Sequence, residues 1–350
     1  MFKNNDYSFL SKTIHHLALN NNFIQEMLHD IELSIYKKSI KLDNLKSHIF
    51  ISGLPRSGTT ALMNFLYKTE KFASLTYRDM PFIVSPNLWS KISKKIKAKP
   101  QKERMHSDNL SINIDSPEAL DEIFWRIKLQ KKYIFNDKLI PHEADEFTIT
   151  EFRNFVSLIL YKYNKEVYLS KNNNNILRLE SLIKAYPNCL IIIPFRDPLQ
   201  QAYSLLKQHE HFTKIQNEDK FTRKYMSYLV HYEFGTLHRP YYFEDNKNVP
   251  FKSGSLDYWL LQWVNTYTYL LKDKFSKSKN IMFINYESFC KNPKNFLKNI
   301  IKKTNLDDLI FKDNYNFKLS PKKVDIKKNE ISTEAYKIFE KLLNICEVHD

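Results

Sequence analysis

A chain of 350 residues with 43% hydrophobic content can bury the core of one large α/β domain or two smaller ones, and its 4 glycines exclude collagen-like and glycine-rich low-complexity architectures. The formal net charge of +15 comes mostly from lysines that travel with asparagines along the whole chain, so it reads as compositional bias and not as a nucleic-acid surface. Cys189, Cys290 and Cys346 lie far apart without a CxxC pair, so neither a disulfide framework nor a zinc site is implied.

Residues 8–40 carry Ile14, Leu17, Phe23, Ile24, Met27, Leu28, Ile31 and Ile35 at helical spacing, which predicts one or two amphipathic helices. His48 to Ser52 reads as a short buried strand and Thr59 to Tyr67 as a helix, with a glycine turn between them. Lys91 to Lys102 is lysine-rich and reads as an exposed connection or a solvated helix face. Residues 116–132 predict a capped helix, with Ser116 as N-cap, Pro117 in the first position and acidic residues in the first turn. On that helix Glu118 and Glu122 share one face.

Val167 to Ser170 is a second strand, Asn175 to Tyr186 a helix stopped by Pro187, and Cys189 to Phe195 an apolar strand of the doubly covered, parallel kind. Helices follow over Pro198 to Gln208, Thr222 to Phe234 and Leu256 to Lys274. The Pro-, Tyr- and Asn-rich segment His238 to Gly254 between the last two is a candidate mobile lid. Asn280 to Asn285 gives a last strand, before helices near Pro293 to Lys303 and Thr333 to Ile345. Alternating strands and helices predict an α/β fold, and there is neither an internal repeat nor a domain linker.

The turn Gly53-Leu54-Pro55-Arg56-Ser57-Gly58-Thr59-Thr60 carries the chemistry. A strand entering a glycine turn and then a helix points several N–H groups at one spot, where the helix dipole also favours an anion. Gly53 and Gly58 let the backbone curl, Arg56 can reach a phosphoryl or sulfuryl oxygen, and Ser57, Thr59 and Thr60 add hydroxyls. In the nucleotide-hydrolysing version a lysine follows the second glycine, but here that position is Thr59. Nor is there a Walker-B acid, since Asp197 stands before Pro198 and reads as a helix cap.

These residues resemble the 5′-phosphosulfate loop of sulfotransferases that use 3′-phosphoadenosine-5′-phosphosulfate (PAPS), in the branch carrying Pro-Arg-Ser-Gly-Thr-Thr. The resemblance implies that Leu54, Pro55, Arg56, Ser57, Gly58, Thr59 and Thr60 bind the co-substrate. A second element agrees in order: Ile191-Ile192-Ile193-Pro194-Phe195-Arg196-Asp197-Pro198, followed by Ser204, is similar to the family's 3′-phosphate site. There Arg196 and Ser204 would grip one phosphate as fork and hydroxyl.

Lys171-Asn172 with Asn175 and Arg178, ahead of Tyr186-Pro187, resembles the segment before that strand, implying that Lys171 lies near the cofactor phosphates. Ile284-Asn285-Tyr286-Glu287-Ser288-Phe289 with Asn292-Pro293 fits the final strand and helix as scaffold. The likeness spans about residues 48–305. It implies a P-loop-NTPase-like three-layer sandwich with a central parallel sheet flanked by helices. One sulfotransferase domain then covers residues 1–350, with a helical N-terminal extension over 8–40 and a C-terminal helical segment over 330–346. One departure stands out: the Arg-Lys-Gly loop with which cytosolic members close over the 3′-phosphate is missing, and the basic stretch Lys318 to Lys328 is either its substitute or a solvated tail.

Sulfuryl transfer needs a hydroxyl nucleophile, a general base, and cations on the leaving oxygen, and it requires no metal. Arg56 is the candidate on the leaving-oxygen side, by resemblance. For the base, Asp79 in Tyr77-Arg78-Asp79-Met80-Pro81 comes first, where relatives place a catalytic Glu, and His106 second; Glu118 and Glu122 on the capped helix are further candidates to face the acceptor. The expected reaction moves sulfuryl from PAPS to a hydroxyl on a carbohydrate, glycan or glycolipid, leaving adenosine 3′,5′-bisphosphate (PAP). The expected protein is cytoplasmic, without an integral membrane segment, since no apolar run reaches about 18 residues and Met1 to Asn20 lacks an apolar h-region. The rival readings are a P-loop kinase of a small metabolite and a non-enzymatic basic nucleic-acid-binding protein.

Overall fold

The structure is a computed structural model and describes residues 4–42, 45–98, 100–106, 110–244, 246, 251–306, 309, 317 and 329–347. Strands β1 (Ile49–Ile51), β2 (Phe72–Ala73), β3 (Lys102–Glu103), β4 (Ser111–Ile112), β5 (Val167–Lys171), β6 (Leu190–Phe195) and β7 (Ile281–Asn285) follow in chain order. Five of them form a sheet in the order β2-β5-β1-β6-β7, every pair parallel, and β3 with β4 makes a small antiparallel pair. The central strands are continuous runs of Ile, Leu, Phe and Val because helices cover both faces, as parallel sheets require.

Register brings the chemistry to one edge. Ile51 pairs with Lys171 on one side and with Ile192 on the other, so the carboxyl ends of β5, β1 and β6 stand side by side. Phe195 pairs with Asn285, which delivers Arg196 and Glu287 to that same edge. Ligands of open α/β sheets bind outside these carboxyl ends.

Helix Leu256–Leu270 is buried along most of its length and packs against helices Pro198–Glu218 and Glu330–Glu347. It reaches the loop through one relay. Trp263 Nε1 donates to Gln201 Oε1 at 3.1 Å, and Gln201 Nε2 donates to the carbonyls of Leu54 at 3.1 Å and Pro55 at 3.0 Å. The N-terminal segment forms two helices, Phe9–Asn20 and Asn22–Tyr36, and no helix among the described residues is long and apolar enough to cross a membrane.

Several expected elements differ. The helix expected from Ser116 begins at Glu122, because residues 116–118 are drawn into pairing with residues 75–77. Tyr77 N–H donates to Ser116 O, Glu118 N–H donates to Leu75 O, and Ser116 Oγ caps Asn113 N–H instead of a helix. Glu118 and Glu122 therefore do not share a helical face, and a tertiary pairing overrides the local cap signal. Residues Asn173–Arg178 form a 3₁₀ turn before the helix Leu179–Ala185, which shortens the expected helix over 175–186. At the front of the lid candidate, Leu139 N–H donates to Pro240 O and Tyr242 N–H to Leu139 O; residues 245 and 247–250 of that segment, and the Lys318 to Lys328 stretch, lie outside the described residues.

Candidate active site

The loop after β1 closes by two left-handed residues, Arg56 at φ 69° and Gly58 at φ 101°, and Gly58 caps helix Thr59–Tyr67. Gly58 is required twice over. Its φ suits glycine, and a Cβ there would stand 2.1 Å from Cδ2 of Tyr286. A Cβ on Gly53 would lie 3.2 Å from Pro194 O and 3.2 Å from Ser57 Oγ, so the buried Ser57 hydroxyl turns toward Gly53. The first N–H groups of helix Thr59–Tyr67 have no partner inside the helix, an arrangement suited to an anion.

Arg56, Arg196 and Ser204 come together. Arg56 Nε donates to Ser204 Oγ at 3.1 Å, and Arg196 Nη1 donates to the Arg56 carbonyl at 3.3 Å. Arg196 also pairs with Glu287 Oε1 at 3.4 Å and stacks its guanidinium over the Tyr286 ring at 5.3 Å. Thus the Arg196 partner is Glu287, not Asp197, which instead caps the helix after β6 by accepting from Gln200 N–H.

A polar cavity opens beside the loop, lined by Arg56, Thr59, Thr60, Arg104, His106, Glu118 and Lys171. Arg104 Nη1 lies 3.5 Å from Thr60 Oγ1, and Lys171 Nζ lies 3.8 Å from Glu118 Oε1. Tyr77 donates its hydroxyl to Glu118 Oε2 at 2.6 Å. Burial pushes the Glu118 carboxyl up, but Lys171, Arg104 and that hydroxyl together hold it well below the usual carboxylate range. Burial first, then Arg104 and Arg56, push His106 well below the usual imidazole range, so its ring stays neutral.

Asp79, expected first among the bases, does not line this cavity. It is fully buried in a capping box, where Oδ2 accepts from Thr76 N–H at 2.7 Å and from Tyr163 OH at 2.7 Å, and Oδ1 pairs with Lys162. Its neighbour Arg78 pairs with Asp115 instead.

Among the lining residues that the sequence alone did not single out are the polar Arg104, Asn173, His231 and Glu233. Arg104 stood beside His106 in Glu103-Arg104-Met105-His106 and was a rare arginine, which is a signal. His231 and Glu233 fall where a helix was expected to continue; the helix Lys220–Tyr228 ends before them.

Residues 48–243 match a model described as the sulfotransferase family. Among solved structures, the chain is similar to sulfotransferase STF1 from Mycobacterium tuberculosis, at 12% identity and a TM-score of 0.46, covering 83% of this chain and 76% of that one. Sulfotransferase STF9 from Mycobacterium avium aligns at 12% identity and a TM-score of 0.42 over 89% of this chain and 72% of that one. A sulfotransferase from Alicyclobacillus acidocaldarius aligns at 14% identity and a TM-score of 0.38 over 87% and 95%. No curated protein matches the sequence significantly.

Proposed function

The chain belongs to the sulfotransferase family, and we propose that this enzyme moves the sulfuryl group of PAPS to a hydroxyl of a carbohydrate, glycan or glycolipid acceptor. The observation that carries the reading is the junction of Arg56, Arg196 and Ser204 at the carboxyl edge of β1 and β6. PAPS has phosphates at both ends of its ribose, and this junction joins a loop suited to one of them with an arginine and a hydroxyl suited to the other. The donor set fits that group: a helix N-terminus with Arg56, Arg104 and Lys171 around one cavity, and Arg196 beside Arg56. Thr59 in the place of the phosphate-loop lysine favours this reading over a kinase.

In the proposed reaction Leu54 to Thr60 hold the phosphosulfate end, and Arg56 offsets the charge that grows on the leaving oxygen. Arg196 and Ser204 hold the 3′-phosphate, and Lys171 faces the sulfuryl side. Glu118 and His106 meet the acceptor, as hydrogen-bonding groups of fixed charge. The mixed lining of carboxylates and cations suits a polyhydroxy acceptor, whose hydroxyls both donate and accept. Incubation with PAPS and a panel of galactosides and glucosides in EDTA tests the reading: sulfated sugar and PAP should form in equal amounts. Turnover of ATP with magnesium, and none of PAPS, would support the kinase instead.

A further inference from the structure

His231 turns Nδ1 toward Glu233 Oε2 at 3.5 Å, and both side chains are largely covered, at 20% and 12% exposure. Glu233 Oε1 accepts from Asn173 Nδ2 at 3.3 Å, and Asn173 Oδ1 accepts from the Thr59 hydroxyl at 3.3 Å. One line of contacts therefore runs from Thr59 of the loop to His231.

The backbone explains why His231 stands there. Helix Lys220–Tyr228 ends in a Schellman turn, with Val230 N–H donating to Ser227 O at 3.2 Å and His231 N–H to Met226 O at 3.0 Å. Glycine is the usual residue at the left-handed position of such a turn, but here it is Val230, at φ 55° and fully buried. A β-branched residue persists in that conformation only where its surroundings hold it, and such outliers concentrate at functional sites. The turn delivers the next residue, His231, to the wall of the cavity.

A hydroxyl acceptor needs a proton acceptor on that wall. Glu118 is a weak base because Lys171, Arg104 and Tyr77 stabilise its anion against the cost of burial. His106 resists a proton because it is buried beside Arg104 and Arg56. His231 faces the same groups, namely Arg56, Arg104, His106, Glu118 and Lys171, but it has Glu233 at its back. A carboxylate on Nδ1 fixes the ring and stabilises the imidazolium once Nε2 has taken a proton, as in a nucleophile–base–acid triad.

We propose that His231 is the general base of the sulfuryl transfer and that Glu233 is its positioning residue, tied to the phosphate loop by Asn173. The proposal rests on the PAPS reading above. In the step, the acceptor O–H bond breaks and its proton goes to His231 Nε2 as the oxygen bonds to sulfur. The bond from sulfur to the 5′-phosphate oxygen breaks, its electron pair leaves with PAP, and the imidazolium later returns the proton to water.

The test compares wild type, His231→Gln and Glu233→Gln, with octyl β-galactoside as the acceptor, 4-nitrophenol as an acceptor with a large ionised fraction at neutral pH, and PAP release to water in the same assay. His231→Gln should lower kcat on the galactoside by about 10²–10⁴-fold, with PAP affinity unchanged within about twofold and the loss on 4-nitrophenol below about tenfold. Glu233→Gln should keep part of the activity and move the acid limb of its pH–rate profile down by about one unit. Full galactoside turnover by His231→Gln, or an unmoved acid limb in Glu233→Gln, overturns the proposal; the second variant decides if the first fails to fold. A wild type that consumes PAPS with none of these acceptors overturns the PAPS reading instead.

Discussion

The ring of Tyr286 occupies the space where a side chain on Gly58 would stand: a Cβ there would lie 2.1 Å from Cδ2 and 2.3 Å from Cε2. The phosphate loop is thereby clamped between its own helix and the residue that follows β7, and Arg196 stacks on the same ring.

Gly58→Ala should therefore lose both ways, through the left-handed φ of 101° and through the overlap. We expect about 3 kcal/mol of destabilisation and loss of PAP binding. The double variant Gly58→Ala/Tyr286→Ala should cost less than the sum of the two single changes, because the overlap disappears while the φ strain stays. Urea unfolding of the three variants measures this; strict additivity would show that the ring does not set the loop.

Asp79 should prove structural. Asp79→Ala leaves the Lys162 ammonium, 4% exposed, without its carboxylate and strips the capping box. The expected cost is about 3–5 kcal/mol of stability, with kcat per folded molecule close to wild type. A stable variant with kcat down a hundredfold would return Asp79 to the chemistry.

Glu118→Gln should act on the acceptor more than on the proton. The carboxylate is held as an anion by Lys171, Arg104 and Tyr77, so it stays charged through the neutral range. The loss of one charged hydrogen bond to the acceptor should raise the acceptor KM about tenfold, equivalent to about 1.4 kcal/mol, and leave the acid limb of the pH profile in place. Steady-state kinetics from pH 5 to 9 separates the two effects.

His142 gives a pH signature of folding. Its ring is lowered to about 3, by burial first and then by Arg178, whose Nε stands 3.2 Å from Nε2. A base depressed in the folded state contributes stability that is present above the unfolded value near 6.5 and is lost as pH falls toward the folded one. Between pH 6 and 4 the unfolded chain binds the extra proton, so stability should fall by at most about 1.4 kcal/mol per pH unit from this group. His142→Gln should flatten that slope in urea titrations, and an unchanged slope would show that the ring titrates alike in both states.

The parts of the molecule legible in the sequence are those fixed by local chemistry. The apolar runs Cys189 to Phe195 and Ile281 to Ile284 read as covered strands, and the helix Thr59–Tyr67 starts where its glycine turn ends. Arg56, Arg196 and Ser204 are named by resemblance to a family's phosphate sites, and the parallel pairing of β1 with β6 helps to bring Arg56 and Ser204 within 3.1 Å of each other. The acceptor side was less legible because it is assembled by pairing across the chain. Glu118 reaches the cavity through the contacts of residues 116–118 with residues 75–77, a tertiary event that overrides a good helix cap. Likewise His231 depends on a Schellman turn built on Val230, a residue whose own preference argues against it.

The central claim is that this edge of the sheet binds a nucleotide with phosphates at both ends of its ribose, and calorimetric titration in EDTA tests it most directly. The account predicts that wild type binds PAP at least about tenfold more tightly than adenosine 5′-monophosphate, and that Arg196→Ala erases the preference. Equal affinity for the two nucleotides, or a preference that survives in Arg196→Ala, would contradict it.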